Sequence, residues 1–365
     1  MNAQGEFRRL CAFQAGGKTL VDYLAHPQTD ARLRRSLGIE SEGELLDYLD
    51  CDFFYLPGRD ISQNEGIVPF YKGSLPPMSD TERVCPLGIR WRRGAYDSKF
   101  SVDEAVSGPF QDALISEEAI LRHPWPKARD FDFSPLVEEA QAHSDRVRIG
   151  GLWTGIMGDS YRMMGFENFL LNIATHPELI RALINRMTEM YLELNDHYFA
   201  ALKGKMEMWF FGNDFGSQDG LLISPGMWSE FFSEPIRKLC ALAHSYDLKV
   251  MMHSCGAIVP LIPMLIEADV DILDPIQVTA RGMSPGRLAG EFGGKIVFHG
   301  GIDTQHVLPQ STPAQVKDHV RATVAALGEG NGYICAPSQT LGPDIPLANI
   351  LSVYQTMKEI NAHEK

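Results

Sequence analysis

The chain has 365 residues, 44% hydrophobic and 22% charged, enough apolar side chains to bury a sizeable core, which excludes wholesale disorder. At about 150 residues per domain the length allows two domains, or one α/β barrel with insertions. Lys and Arg number 33 against 47 Asp and Glu, a net charge of −14; this disfavours phosphate backbones and anionic lipid as partners but leaves room for a small anion in a local basic pocket.

The opening stretch MNAQGEFRRLCAFQAGG contains no apolar core of about 7–15 residues, so no secretory signal is expected. No run of about 18 apolar residues predicts a membrane span. The six cysteines, at 11, 51, 85, 240, 255 and 335, are too dispersed in a chain of this size to suggest a disulfide framework. A reduced, cytoplasmic enzyme is the expected class.

The first 146 residues are irregular. A helix is expected at about 44–49, then a core strand over 51–56 (CDFFYL). Residues 89–100, with Trp91, Arg92, Arg93, Tyr96 and Lys99, suit a hairpin inserted into a βα connection. The segment 123–133 (HPWPKARDFDF) reads as a proline-broken surface linker.

From residue 147 onward, short apolar runs alternate with longer amphipathic stretches, the pattern of βα units. Strands are expected at 147–153, 206–211, 248–253, 271–274, 296–299 and 333–335, and helices at 177–202, 225–245, 257–268, 313–327 and 347–360. Ser224-Pro225 and Thr312-Pro313 each place a capping residue before a proline at the first helical position. Gln315 completes a capping box with Thr312, and Gly328 stands where a helix-ending glycine belongs.

This alternation implies a parallel sheet. Seven strands can be named, and an eighth, not located, would close a barrel. The expected fold is α/β: one distorted (β/α)8 TIM-type barrel domain over 1–365, with an irregular N-terminal helical extension over about 1–45 and an insertion over about 85–135. A doubly wound sheet would favour a phosphate loop after its first strand. The only glycine-rich candidate, Gly328-Glu-Gly330-Asn-Gly332, falls between a helix and the next strand, the wrong side of the unit.

Barrel active sites form at the C-terminal ends of the strands. There the chain carries Gly212-Asn213-Asp214-Phe215-Gly216-Ser217-Gln218, His253-Ser254-Cys255-Gly256, His299-Gly300-Gly301-Ile302-Asp303 and Cys335-Ala336-Pro337-Ser338-Gln339. His253-x-Cys255 is the sharpest feature. An imidazole and a thiolate two residues apart can both face the mouth and suit zinc, which needs a third protein ligand in a catalytic site. Cys335 is the natural candidate, although a histidine and a cysteine at strand ends also serve plain packing. Asp214 is a candidate acid, base or polar anchor, or an ordinary loop Asx turn. His299 could donate to substrate oxygens, or be a satisfied core histidine. Trp153 and Tyr161 could wall a pocket.

Gly282-Met283-Ser284-Pro285-Gly286 matches a nucleophile elbow in letters only. The elbow needs the N–H of the residue after serine, and Pro285 has none. A serine hydrolase of that type is excluded, and neither a Walker loop nor an H-E-x-x-H helix is present.

With its flanking segments GNDFGSQDGLLISP, HSCG, FHGGIDTQ and GYICAPSQTLGPDIPLANI, the chain resembles the uroporphyrinogen decarboxylase superfamily from about residue 51 to the C-terminus, most strongly from 147. That resemblance implies a single distorted β/α barrel and two candidate activities. One is the zinc-dependent transfer of a methyl group between a corrinoid carrier and a small thiol, methoxy or methylamine-type molecule. The other is cofactor-independent decarboxylation of a tetrapyrrole polycarboxylate.

The methyltransferase branch is the expected one. His253 and Cys255 match its zinc motif, with Cys335 as third ligand and Asp214 or Gln339 as alternatives, since the family cysteine aligns nearer Ser338. Asp214 and His299 are the expected catalytic residues. Trp153, Tyr161, Asn213, Gln218, Asp303, Ser338 and Gln339 are the expected substrate contacts. The chain carries no corrinoid-binding D-x-H-x-x-G segment, so the corrinoid would ride on a partner protein; a homodimer is a further possible assembly. For the decarboxylase, the nearest match to the family's arginine-rich N-terminal signature is Phe13-Gln14-Ala15-Gly16-Gly17-Lys18, with Phe13 and Gly17 where arginines belong. A polyanionic substrate would lose bidentate contacts there. Asp60 could stand for the pyrrole-binding aspartate.

Overall fold

The structure, a computed structural model, describes residues 2–57, 70–77, 79, 81–95, 101–111, 115–328, 330 and 332–363. Asp60 lies outside them. Eleven strands are seen among the described residues: β1 (Leu20–Val21), β2 (Phe53–Tyr55), β3 (Glu82–Val84), β4 (Arg90–Ala95), β5 (Ser101–Ser107), β6 (Val147–Gly150), β7 (Met208–Gly212), β8 (Lys249–His253), β9 (Ile272–Ile276), β10 (Val297–Ile302) and β11 (Tyr333–Pro337). Eight of them form one sheet in the order β1-β11-β10-β9-β8-β7-β6-β2, every pairing parallel.

The sheet curls into a nearly closed (β/α)8 barrel. At the seam, Asp52 N donates to Val21 O at 2.9 Å, and Val21 N donates to Asp52 Oδ2 at 2.9 Å. The Lys18 ammonium sits 2.6 Å from the other oxygen of Asp52. The strand that sequence reading could not locate is β1, two residues long and too short to display an alternating pattern.

Alternation of side chains along the strands divides the core in two. Leu20, Phe53, Val147, Ile149, Met208, Phe210, Met251, Ile272, Val297 and Ile334 fill the barrel interior. Their neighbours in sequence, such as Val21, Phe54, Trp209, Val250, Leu273 and Cys335, pack into the outer core with the helices. Phe7, from the helix Ala3–Cys11, joins the interior set and meets Phe53 edge to face at 6.0 Å.

The helices follow their caps. Thr312 and Gln315 form the expected capping box, and Ser224 Oγ accepts from Met227 N at 3.1 Å. The helix expected over 225–245 is broken into Pro225–Phe231 and Ser233–Ser245. Pro235 has no N–H to continue the first helix but fits the first turn of a new one. Of the hairpin expected over 89–100, residues 90–95 form β4, the middle strand of the antiparallel sheet β3-β4-β5, while Tyr96 and Lys99 lie outside the described residues. No helix among the described residues is long and apolar enough to cross a membrane.

Candidate active site

The chemistry of the mouth follows from the two-residue repeat. Asp22, Tyr55, His253, Asp274 and His299 stand two positions beyond Leu20, Phe53, Met251, Ile272 and Val297, residues of the apolar interior. A parallel barrel therefore brings them to one level above its packed core. His253 and Asp274 are direct register partners across β8 and β9.

Hydrogen bonds join these side chains into a row. Tyr55 Oη donates to Asp22 Oδ2 at 2.6 Å, and His299 Nε2 lies 3.0 Å from that same oxygen. His299 Nδ1 lies 2.6 Å from Asp274 Oδ1. The second oxygen of Asp274 lies 2.5 Å from His253 Nδ1. Placing the His253 proton on Nδ1 leaves Nε2 as the free donor atom, facing Cys255 Sγ at 3.2 Å and Asp214 Oδ1 at 3.5 Å.

Burial opposes charge on all three central groups, and mutual attraction overcomes it. Against its burial, His299 is raised to about 9 by Asp274 and Asp22. Against its own burial, Asp274 is lowered to about 2 by His299 and His253. His253, equally penalised by burial, is raised well above the usual imidazole value by Cys255 and Asp274.

Asp214, His253 and Cys255 bring one oxygen, one nitrogen and one sulfur within 4.8 Å of one another. Two glycines allow this approach. A Cβ on Gly216 would stand 2.6 Å from Cys255 O, and Gly256, at φ +93°, backs onto Gly216 with equal closeness. The loops after β7 and β8 thus touch backbone to backbone, and Cys255 N donates to Asp214 Oδ1 at 2.9 Å. Gln339 Nε2 donates to Cys255 Sγ at 3.4 Å, and Gly256 N donates to Gln277 Oε1 at 2.7 Å. Asp214 is half exposed, so the cluster opens to solvent on that side.

Cys335 does not meet them. It faces the outer core beside Tyr333, and burial pushes its thiol up to about 12. The alternation that turns Ile334 inward turns Cys335 outward, and a shift of one residue would reverse the whole strand.

The expected substrate contacts divide in a similar way. The Trp153 ring stands 5.5 Å from that of His253 and occupies the space a side chain on residue 212 would take, a Cβ there meeting Trp153 Cζ2 at 2.1 Å. Tyr161 packs against Phe166 and under the Arg162 guanidinium. Gln218 bonds to Gln305, which also accepts from Thr279.

Three others are occupied by backbone. Asn213 Oδ1 accepts from Met157 N and its amide donates to Thr154 O. Asp303 accepts from the N–H groups of Gln305, His306 and Val307. Ser338 Oγ accepts from Thr304 N. Both ring nitrogens of His299 face carboxylates, so neither points freely at a substrate.

Sequence reading missed Asp22, Tyr55, Asp274 and Gln277. Asp274 stood at the end of an expected strand, next to one bearing the His-x-Cys pair, and that adjacency was the available signal. The N-terminal match Phe13–Lys18 precedes β1. It therefore lies at the opposite end of the barrel from this row, and no arginine is among the described residues lining the cleft over His253 and His299.

The uroporphyrinogen decarboxylase (URO-D) family model matches residues 135–360. The chain belongs to the URO-D family. The match spans β6 to β11, hence His253, Cys255, Asp274 and His299, while Asp22 and Tyr55 lie ahead of it. Among solved structures this family member is similar to a methyltransferase from Methanosarcina mazei, with a TM-score of 0.67 at 13% identity over 99% of both chains; at that identity the likeness is one of fold. A weaker likeness, with a TM-score of 0.41 and 11% identity over 96% of this chain and 86% of the other, is to a structure of the tandem GH20 catalytic modules of the pneumococcal exo-β-D-N-acetylglucosaminidase StrH. No curated protein matches the sequence.

Proposed function

We propose that this URO-D family member is a zinc-dependent methyltransferase that moves a methyl group between a corrinoid carried by a partner protein and a small thiol, methoxy or methylamine-type molecule. The observation that carries the reading is the convergence of His253 Nε2, Cys255 Sγ and Asp214 Oδ1 at one partly open point. Nitrogen, sulfur and carboxylate oxygen are the donors zinc takes, and three protein ligands with one open side is the arrangement of a catalytic site. Cys255, His253 and Asp274 also align as a nucleophile, base and orienting acid. A metal-free pair of that kind has no use for Asp214 beside the imidazole, which favours the metal.

In this reading the third ligand is Asp214, in place of Cys335. Bound zinc would supply Lewis acidity that keeps a thiol deprotonated at neutral pH. Asp274 holds the His253 proton on Nδ1 and so keeps Nε2 available. The Cys255 N–H fixes the Asp214 carboxylate, and Gln339 shields the Cys255 sulfur with a single N–H. The Trp153 ring beside His253 offers an apolar face suited to a small methylated molecule. The decarboxylase reading is weaker, because the segment expected to grip a polycarboxylate lies at the other end of the barrel.

The test has two parts. Zinc is measured per chain in protein purified without added metal or affinity tag, with about one equivalent expected. The zinc-loaded protein is then assayed for methyl transfer from methylcobalamin to small thiols. Folded, reduced protein without zinc would sink the reading.

A further inference from the structure

We propose that Asp22 and His299 are positioning residues for His253, acting through Asp274 from the ends of β1, β10, β9 and β8. This deepens the proposed metal reading and rests on it.

The geometry is a row with no loose member. Asp274 shares its two oxygens between two histidines, His253 and His299. Its carboxylate cannot rotate toward one without leaving the other. His299 is fixed in turn, because its other nitrogen meets Asp22 Oδ2. Asp22 is held at both oxygens, by Tyr55 Oη at 2.6 Å and by Tyr23 N at 2.8 Å. Asp22, Asp274 and His299 are all buried.

Buried charges are costly unless paired and hydrogen-bonded, and apolar residues would close the barrel as well. The row ends where His253 offers Nε2 to Cys255 and Asp214. Asp22 occupies the far nitrogen of His299, which turns His299 Nδ1 toward one oxygen of Asp274 and leaves the other oxygen facing His253 Nδ1. A carboxylate on the far nitrogen fixes the ring and raises its strength as a donor, and loss of such a partner weakens metal binding by about 10- to 100-fold.

The test compares Asp22→Asn with Asp52→Asn in the full-length chain. Asp52 also ties β1 to β2, at the seam and away from the row. Cobalt(II) replaces zinc as the probe, because its visible absorption reports ligand geometry; zinc affinity is measured by chelator competition and folding by circular dichroism.

We expect Asp22→Asn to weaken metal binding by about tenfold and to shift the cobalt spectrum, while Asp52→Asn lowers only stability. Tyr55→Phe removes one hydroxyl from the end of the row and serves if Asp22→Asn does not fold. It should shift the spectrum in the same direction by less. Unchanged affinity and spectrum in whichever of these two variants folds would overturn the positioning role. A wild-type chain that binds neither metal would overturn the metal reading and this proposal together. Zinc binding without methyl transfer would remove the methyl-transfer assignment and leave this proposal standing.

Discussion

Ile334 and Cys335 are adjacent in β11 and face opposite sides of the barrel wall, Ile334 into the interior and Cys335 toward the helices. Two cysteines of this chain should therefore behave in opposite ways. Cys335→Ala is expected to keep full zinc content and to lose about 1 kcal/mol of stability from a small cavity. Cys255→Ala is expected to lose zinc and, compared as stripped protein, to change stability by less than about 0.5 kcal/mol. Elemental analysis and urea denaturation read the two effects; zinc lost from Cys335→Ala would overturn the placement of the third ligand.

Stability should depend on pH through the paired row. Despite burial, Asp274 and Asp22 raise His299 to about 9, above the ordinary imidazole value near about 6.5. Its stabilisation is thus complete below about pH 6.5 and lost as pH rises through about 9. Asp274, lowered to about 2 against its burial by His299 and His253, contributes above about pH 4 and loses that contribution as pH falls toward 2. Urea denaturation of the metal-stripped chain should show a plateau between these limits. His299→Gln should flatten the alkaline decline, and an identical slope in both proteins between pH 6.5 and 9 would count against the pairing.

Gly212 and Trp153 share one volume. In Gly212→Ala the new methyl group would overlap the indole at 2.1 Å and push the ring from its place beside His253. Overpacking of this kind costs about 1–3 kcal/mol. The expected result is a lower denaturation midpoint with altered tryptophan fluorescence. An unchanged emission spectrum would mean that the ring has room to yield without leaving His253.

Phe7 closes the interior core at the end away from the active site. It is almost fully buried, and Phe7→Ala should cost about 3–5 kcal/mol in urea denaturation. A loss below about 1 kcal/mol would show that the N-terminal helix only covers the barrel base. The same helix is tied down by Gln4, whose amide donates to Ser144 O and Arg146 O.

Much of the fold was legible because a parallel barrel repeats its instructions. Each strand from β6 to β11 is a largely apolar run, and several helices carry caps or prolines that mark their start. The strands at either edge of the seam were harder. β2 was found from CDFFYL, but β1 has two residues, and its pairing depends on Cys335 and Asp52 far along the chain. No local pattern can report such a partner.

The site divides along the same line. By itself the sequence determined that His253 and Cys255 stand together after a strand, because two residues of separation at a strand end fix their proximity. It also determined that a polar loop containing Asp214 follows the preceding strand. Tertiary structure alone decided which groups complete the set. The inward or outward sense of a side chain depends on the register of its whole strand, and so Cys335 is turned away while Asp274 and His299 are turned in. Closure of the barrel then carries Asp22 and Tyr55 from the first strands to the histidines of the later ones, because side chains at one level of a cylinder are neighbours whatever their distance in sequence.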